Sequence, residues 1–377
     1  QIMGYYSLKP FCATPQNFQH LADAGLTMVT VETGDPDYRE QLQYAHQAGM
    51  RAVPIIGWCA GRYADNPDSY TGLDDLIAEL KSYPATCAYH VYDEPDVSKI
   101  PRLKLIREKI ESLDADNPVY INLNPDASES ALGVYYYRDY IEAFARDCGV
   151  RFISFDMYPI YPDGTYMKDW HKCLTCVSEV TRQYGIPFWA FAATCCINLE
   201  QGNPVRARPT VENLRLQVYT DLAYGAQVVQ YFTIQQYGGT DFAPMMATGQ
   251  WSEAYDIMKE ATLQVQKRGF AFDGCSIKQT GFKGTAPSWG NNYGDWDLPE
   301  AVSSLATSGT AMVSLLENKG NEYLAVVNQS FTSKITAEVG FASMAYTIEQ
   351  DGSFTGHNPG SESFTIDAGD LMLIKVK

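Results

Sequence analysis

The stretch Ala88-Tyr89-His90-Val91-Tyr92-Asp93-Glu94-Pro95-Asp96 decides how the chain is read. Val, Tyr and His suit a pleated, half-buried surface. Pro95 ends the ladder, because it has no N–H to donate. The stretch therefore reads as a strand that delivers Asp93 and Glu94 to its C-terminal end and stops. Two readings of those carboxylates stand side by side. Asp93 or Asp96 caps the helix that follows, or the pair carries chemistry.

Outward from this strand, short apolar strands alternate with amphipathic helices. Strands are expected at Ile2–Leu8, Leu26–Glu32, Met50–Gly57, the opening stretch, Val119–Asn124, Val150–Tyr158, Ile186–Thr194 and Ala226–Gln235. Thr14-Pro15 opens the first helix with a cap and a proline at the first helical position. Gly25, Gly149, Gly185 and Gly225 stand where helices should stop. Eight strand–helix units predict a parallel (β/α)8 barrel over residues 1–272. The rival is a doubly wound open sheet, which carries a Gly-rich phosphate loop after its first strand. Ser7-Leu8-Lys9-Pro10 is nothing of the kind. Beyond about residue 272, Gly, Ser, Thr and Asn rise and helical periodicity ends. Short strands between turn signals predict a small antiparallel β-sandwich over 273–377. Trp289, Tyr293 and Trp296 sit in a polar stretch near the junction, as an ordered loop or an aromatic rim.

Composition narrows the function. The 377 residues carry a formal net charge of −17, which argues against nucleic acid and anionic membrane surfaces as partners. No apolar run approaches the length of a membrane span. Twenty-six Tyr suit sugar binding, because the ring offers a flat apolar face and a polar edge; a Tyr-rich core is the alternative. Of nine Cys, Cys173 and Cys176 have helical spacing and Cys195-Cys196 have no second pair nearby, so neither metal nor cofactor is expected. The chain opens at Gln1-Ile2-Met3-Gly4, almost directly in a strand. A removed leader and a secreted or periplasmic protein are the expectation.

Strand alternation then sorts side chains by face. The inward sets are Met28, Thr30 and Glu32; His90, Tyr92 and Glu94; Asn122 and Asn124; Ser154, Asp156 and Tyr158; and, on strand eight, Tyr231, Thr233 and Gln235. Strand seven is ambiguous. On these parities Asp93 points away and is structural, and the polar inward residues converge at the C-terminal mouth, where barrel active sites lie. Crowded carboxylates there raise at least one pKa. No Gly-x-Ser-x-Gly elbow and no paired His accompany them. His90 reads as a hydrogen-bonding neighbour. Trp58, Tyr63, Trp189 and Tyr237 are candidate sugar-stacking walls. A carboxylate pair with aromatics and amides is the equipment of glycoside hydrolysis.

The chain resembles the clan A glycoside hydrolases, the β-galactosidase-like (β/α)8 enzymes of carbohydrate-degrading bacteria. The resemblance rests on Asp93-Glu94-Pro95 at strand four, Phe155-Asp156-Met157-Tyr158-Pro159 after strand six, and the segment from Arg208 to Ala226. It implies an oligo- or polysaccharide substrate and an acid/base role for Glu94. It also implies a nucleophilic Glu at the end of strand seven. Here strand seven ends Ala192-Ala193-Thr194-Cys195-Cys196. Three explanations follow. Asp156, or after it Glu32, supplies the second carboxylate, with an inverting geometry open; Glu200 folds back; or catalysis is lost and the protein only binds glycans.

Overall fold

The computed structural model describes residues 1–167, 169–197, 206–285 and 298–377. Eight parallel strands close into a barrel. They are β1 (Ile2–Gly4), β2 (Met28–Glu32), β3 (Arg51–Ile55), β4 (Tyr89–Asp93), β5 (Val119–Leu123), β6 (Ile153–Phe155) and β7 (Phe188–Ala193), and the eighth is β9 (Val228–Phe232). Pairing of Ile2 with Val229 and Gly4 with Tyr231 closes the ring. Between them, β8 (Cys196–Ile197) pairs with β10 (Thr240–Asp241) in a separate ribbon. β1 is shorter than the sequence suggests. Tyr6 adopts a φ of 43°, and that left-handed turn carries the chain out of the ladder.

The helices begin and end where their side chains dictate. Thr14 accepts the amide of Asn17 at the start of α1 (Pro15–Asp23). The others before β7 are α2 (Tyr38–Gln47), α3 (Gly57–Asp65), α4 (Gly72–Leu80), α5 (Ile100–Leu113), α6 (Glu129–Leu132), α7 (Tyr137–Ala143) and α8 (Trp170–Tyr184). Thr210 and Asn213 form a reciprocal capping box on α9 (Val211–Tyr224), which ends at Gly225 with φ 104°. α10 (Glu253–Arg268) closes the barrel's outer layer.

The C-terminal strands form two antiparallel sheets. They are β11 (Ser276–Lys283), β12 (Val302–Thr307), β13 (Ala311–Asn318), β14 (Asn321–Asn328), β15 (Ile335–Phe341), β16 (Ala345–Ile348), β17 (Phe354–His357), β18 (Gly360–Ile366) and β19 (Leu371–Lys375). One sheet has the order β11-β13-β14-β19-β16-β17 and the other β12-β15-β18. Alternation sends Val313, Leu324, Val326 and Ile374 into the sandwich core. It sends Met312, Leu316, Ala325 and Val327 to the barrel's own core. This second face covers α9, which explains why α9 is buried almost all round and has no polar stripe.

A buried ion pair joins the two parts. Arg268, 2% exposed, donates to Asp370 Oδ1 at 3.1 Å and to the Leu371 carbonyl at 2.8 Å. Arg268→Ala leaves Asp370 without its closest cation. We expect a loss of about 3–5 kcal/mol in chemical denaturation. Arg146→Ala, which breaks a fully exposed pair with Asp147, leaves the midpoint unchanged.

Candidate active site

The floor of the barrel is apolar and aromatic: Met3, Met28, Val53, Tyr120, Phe152, Trp189, Phe191 and Val228 pack together there. Trp189 stacks on Phe152 with centroids 4.0 Å apart and is only 9% exposed. It is a floor residue and not a sugar-stacking wall. Tyr63 is likewise buried in the helix layer.

β4 does not keep strict alternation. His90 pairs with Tyr120 but Tyr92 pairs with Ile121, so one residue of β4 has no partner across the ladder. This bulge reverses the parity beyond it. His90 stays inside, where its Nε2 meets the Tyr5 hydroxyl at 3.1 Å. Burial pulls its pKa down to about 3, so the ring is neutral. Tyr92 turns to the helix layer and Asp93 turns inward. The expected inward set of His90, Tyr92 and Glu94 is therefore corrected: Tyr92 leaves it and Asp93 joins it. Asp93 does not cap the next helical turn. Asp96 does, accepting the Ser98 amide at 2.7 Å.

Asp93 meets Asp156 through one amide. Asn122 Nδ2 donates to Asp93 Oδ1 at 3.0 Å and to Asp156 Oδ1 at 3.1 Å. A chain of bonds fixes which way that amide points. Tyr120 donates to Gln230 Oε1 at 2.7 Å, Gln230 Nε2 to Ser154 Oγ at 2.9 Å, and Ser154 to Asn122 Oδ1 at 2.9 Å. The Asn122 oxygen is thus committed, and only its two N–H groups can face the carboxylates. Gln230 was missed from sequence because β9 was read on the wrong parity. Tyr231 faces out, its hydroxyl bonded to Thr262 of α10 at 2.9 Å, while Gln230 and Phe232 face in.

Glu94 follows at the strand's end with a φ of 48°. Its backbone is held on both sides. The Glu94 amide donates to the Asn122 carbonyl at 2.9 Å, and Asn124 Nδ2 donates to the Glu94 carbonyl at 3.1 Å. The Tyr140 hydroxyl donates to the Pro95 carbonyl at 2.6 Å. Strain so held by its surroundings is typical of functional positions. The turn carries the Glu94 carboxyl onto Asp156, with which it shares a hydrogen bond. Asn124 thus braces the turn through its amide.

Three carboxyls at one mouth cannot all ionise freely. Asp93 and Glu94 open onto solvent, yet the barrel wall around them leaves them poorly hydrated. Loss of hydration pushes Asp156 well above the usual carboxylate range, and the charges of Glu94 and Asp93 push it further. Glu94 is raised by desolvation and by Asp93, and drawn back by its bond to Asp156. Asp93 is raised by desolvation and drawn back by Asn122. Asp156 is therefore the carboxyl that keeps its proton longest.

The remaining candidates fall around this cluster. Glu32 is raised by desolvation and lines a neighbouring cavity with Gln235 and Tyr237. The Tyr6 hydroxyl stands close enough to both Asp93 and Glu32 to feel their charges. Gln235 spends its side-chain oxygen on the Lys9 amide at 2.5 Å. Tyr158 lies against Phe232, with centroids 5.1 Å apart, beside Asp156. Tyr237, 41% exposed, packs edge-on to Tyr6. Trp58, 47% exposed, donates Nε1 to the Thr33 hydroxyl at 3.0 Å. At the end of β7, Ala193 packs with Cys195, Ile197 and Ala243, and Asp241 pairs with Cys196 across the neighbouring ribbon. Glu200 lies outside the described residues, as do Trp289, Tyr293 and Trp296. Among the described residues no cluster of His, Cys, Asp and Glu could hold a metal ion, and no helix is long and apolar enough to cross a membrane.

Three solved structures of similar fold are glycoside hydrolases. A family 5 glycoside hydrolase from Bacteroides vulgatus aligns over 100% of this chain and 89% of its own, with a TM-score of 0.61 and 13% identity. The fold, a closed (β/α)8 barrel followed by antiparallel sheets, is the one these glycoside hydrolases share. A family 27 β-L-arabinopyranosidase from Geobacillus stearothermophilus aligns over 100% of this chain and 96% of its own, at a TM-score of 0.53 and 10% identity. The β-galactosidase of Marinomonas ef1 aligns over 71% of this chain, at a TM-score of 0.53 and 12% identity. The chain spans 60% of that enzyme's length. No protein-family model and no curated protein sequence matches the chain.

Proposed function

We propose that the barrel mouth hydrolyses a glycosidic bond of an oligo- or polysaccharide, with Asp156 as proton donor and Asp93 as nucleophile. The observation that carries this reading is the single Asn122 amide bonded to both carboxyls. One nitrogen at 3.0 and 3.1 Å from the two accepting oxygens keeps those oxygens within about 6 Å of each other. A separation of roughly 5–5.5 Å belongs to retaining hydrolysis, and about 6.5–9.5 Å to inversion. Asp93 Oδ attacks the anomeric carbon as the bond to the leaving oxygen breaks, and that oxygen takes the Asp156 proton. Water then gives a proton to Asp156 and attacks the glycosyl ester, which frees Asp93. Glu94, whose role by resemblance is acid/base, here supports the donor: its charge beside Asp156 holds the proton there.

The experiment is a glycan panel with product analysis. Release of sugar that stops in Asp156→Asn supports hydrolysis. The end of β7, Ala192-Ala193-Thr194-Cys195-Cys196, carries no glutamate and favours a second reading, a barrel that only binds glycans. Glycan affinity with no product at any enzyme concentration selects it.

Asn122→Ala tests the bridge. Asn122 lowers the pKa of both Asp93 and Asp156. Its removal raises both, so both limbs of the pH–rate profile move to higher pH. The rate falls by roughly 10–100-fold, the worth of bonds to charged groups of about 1.5–3 kcal/mol. Unmoved limbs contradict the bridging role.

A further inference from the structure

Beside Tyr6, and separate from the Asp93–Asp156 pair, lies a cavity of about 210 Å³ between the ends of β1, β2, β3 and the segment after β9. Its lining includes Ser7, Lys9, Thr30, Glu32, Asp35 and Tyr237. Three of these carry a buried polar atom with no hydrogen-bond partner: Ser7 Oγ, Thr30 Oγ1 and Asp35 Oδ2. Ser7 is 4% exposed and Thr30 2%. A buried polar atom left unpaired costs about 1–3 kcal/mol. Three such atoms belong to residues that line this one cavity.

We propose that this cavity is a subsite for one neutral sugar ring of the substrate. Its size is below the roughly 300–1,000 Å³ of drug-sized ligand sites, which suits a single ring. Ring hydroxyls can donate to Asp35 and Glu32 and accept from Ser7 and Thr30. The Tyr237 ring, 41% exposed, offers an apolar face. Two carboxylates face a single cation, Lys9, so an acidic sugar is repelled. Tyr6, near both Asp93 and Glu32, stands between the subsite and the reacting pair. A ring seated here places the next linkage toward Asp93. That last step rests on the hydrolase reading; the binding site itself does not.

The test uses the full chain carrying Asp156→Asn, in which turnover is blocked, and calorimetric titration. The probes are galactose, glucose and mannose and the matching uronic acids. At least one neutral sugar binds, the uronic acids bind more weakly, and Thr30→Val weakens binding about fivefold to tenfold, the worth of one hydrogen bond. Ser7→Ala, a smaller change, weakens it in the same direction. No neutral sugar binding, tighter binding of a uronic acid, or unchanged affinity in both variants overturns the proposal. If the native protein hydrolyses glycans while these titrations are silent, the subsite fails and hydrolysis stands. If the titrations succeed and no glycan is cleaved, the reverse holds.

Discussion

Asp156→Asn lowers turnover by about 10²–10⁴-fold, the usual worth of a positioned general acid. The loss depends on the leaving group. A glycoside whose leaving oxygen needs no proton, such as a nitrophenolate, loses far less in its first step than a sugar alcohol does. The pH profile changes in a defined way. The donor must be protonated, and burial beside Glu94 and Asp93 raises its pKa well above the ordinary value. The rate of the native protein therefore falls as pH rises through that raised pKa, and the alkaline limb vanishes in Asp156→Asn. The acid limb belongs to Asp93, which must be ionised and is itself raised by desolvation. An alkaline limb that survives the substitution assigns the proton to another group, with Glu94 first in line.

Asp93→Ala has an effect at least as large, because it removes the attacking atom and leaves Asn122 with one carboxylate in place of two. Azide, a small anion, can enter the space left by the side chain and attack the anomeric carbon directly. We expect the variant to regain turnover with azide and to yield a glycosyl azide of inverted configuration. Glu94→Gln gives a smaller loss. It removes a charge that holds the Asp156 proton, so the alkaline limb moves to lower pH while the acid limb stays. If azide rescues Glu94→Ala and not Asp93→Ala, the two roles are exchanged.

The order of these effects could not be read from sequence, and the reason is local. Strict alternation along β5 and β6 put Asn122, Ser154 and Asp156 on the inner face, and the structure has them there. Those strands are regular. β4 is not, and nothing in Tyr89-His90-Val91-Tyr92 marks the extra residue that turns Asp93 inward and Tyr92 outward. A bulge is set by the ladder on either side of it, which is tertiary information. β9 failed for a different reason. Tyr231 has an apolar body and a polar tip, so it fits the helix layer, where Thr262 takes its hydroxyl. Gln230, the residue that belongs inside, then looked like the outward one. The barrel itself was legible because eight repeats of strand, helix and stop signal outvote errors in any one of them. The sandwich was legible as a texture of short strands between turn signals, and the nine strands among the described residues bear that out. Pairing across the site, through Asn122, depends on how three strand ends are staggered. No one-dimensional pattern carries that.

The most direct measurement is the identity of the trapped intermediate. A 2-deoxy-2-fluoro glycoside with a good leaving group slows both steps and lets a covalent adduct build up, which peptide mass spectrometry can place. The proposed roles predict one adduct, on Asp93, formed by the native protein and by Glu94→Gln. An adduct on Glu94 or Glu32, or turnover that inverts the anomeric centre with no adduct at all, would contradict the assignment of Asp93 and Asp156 as the reacting pair.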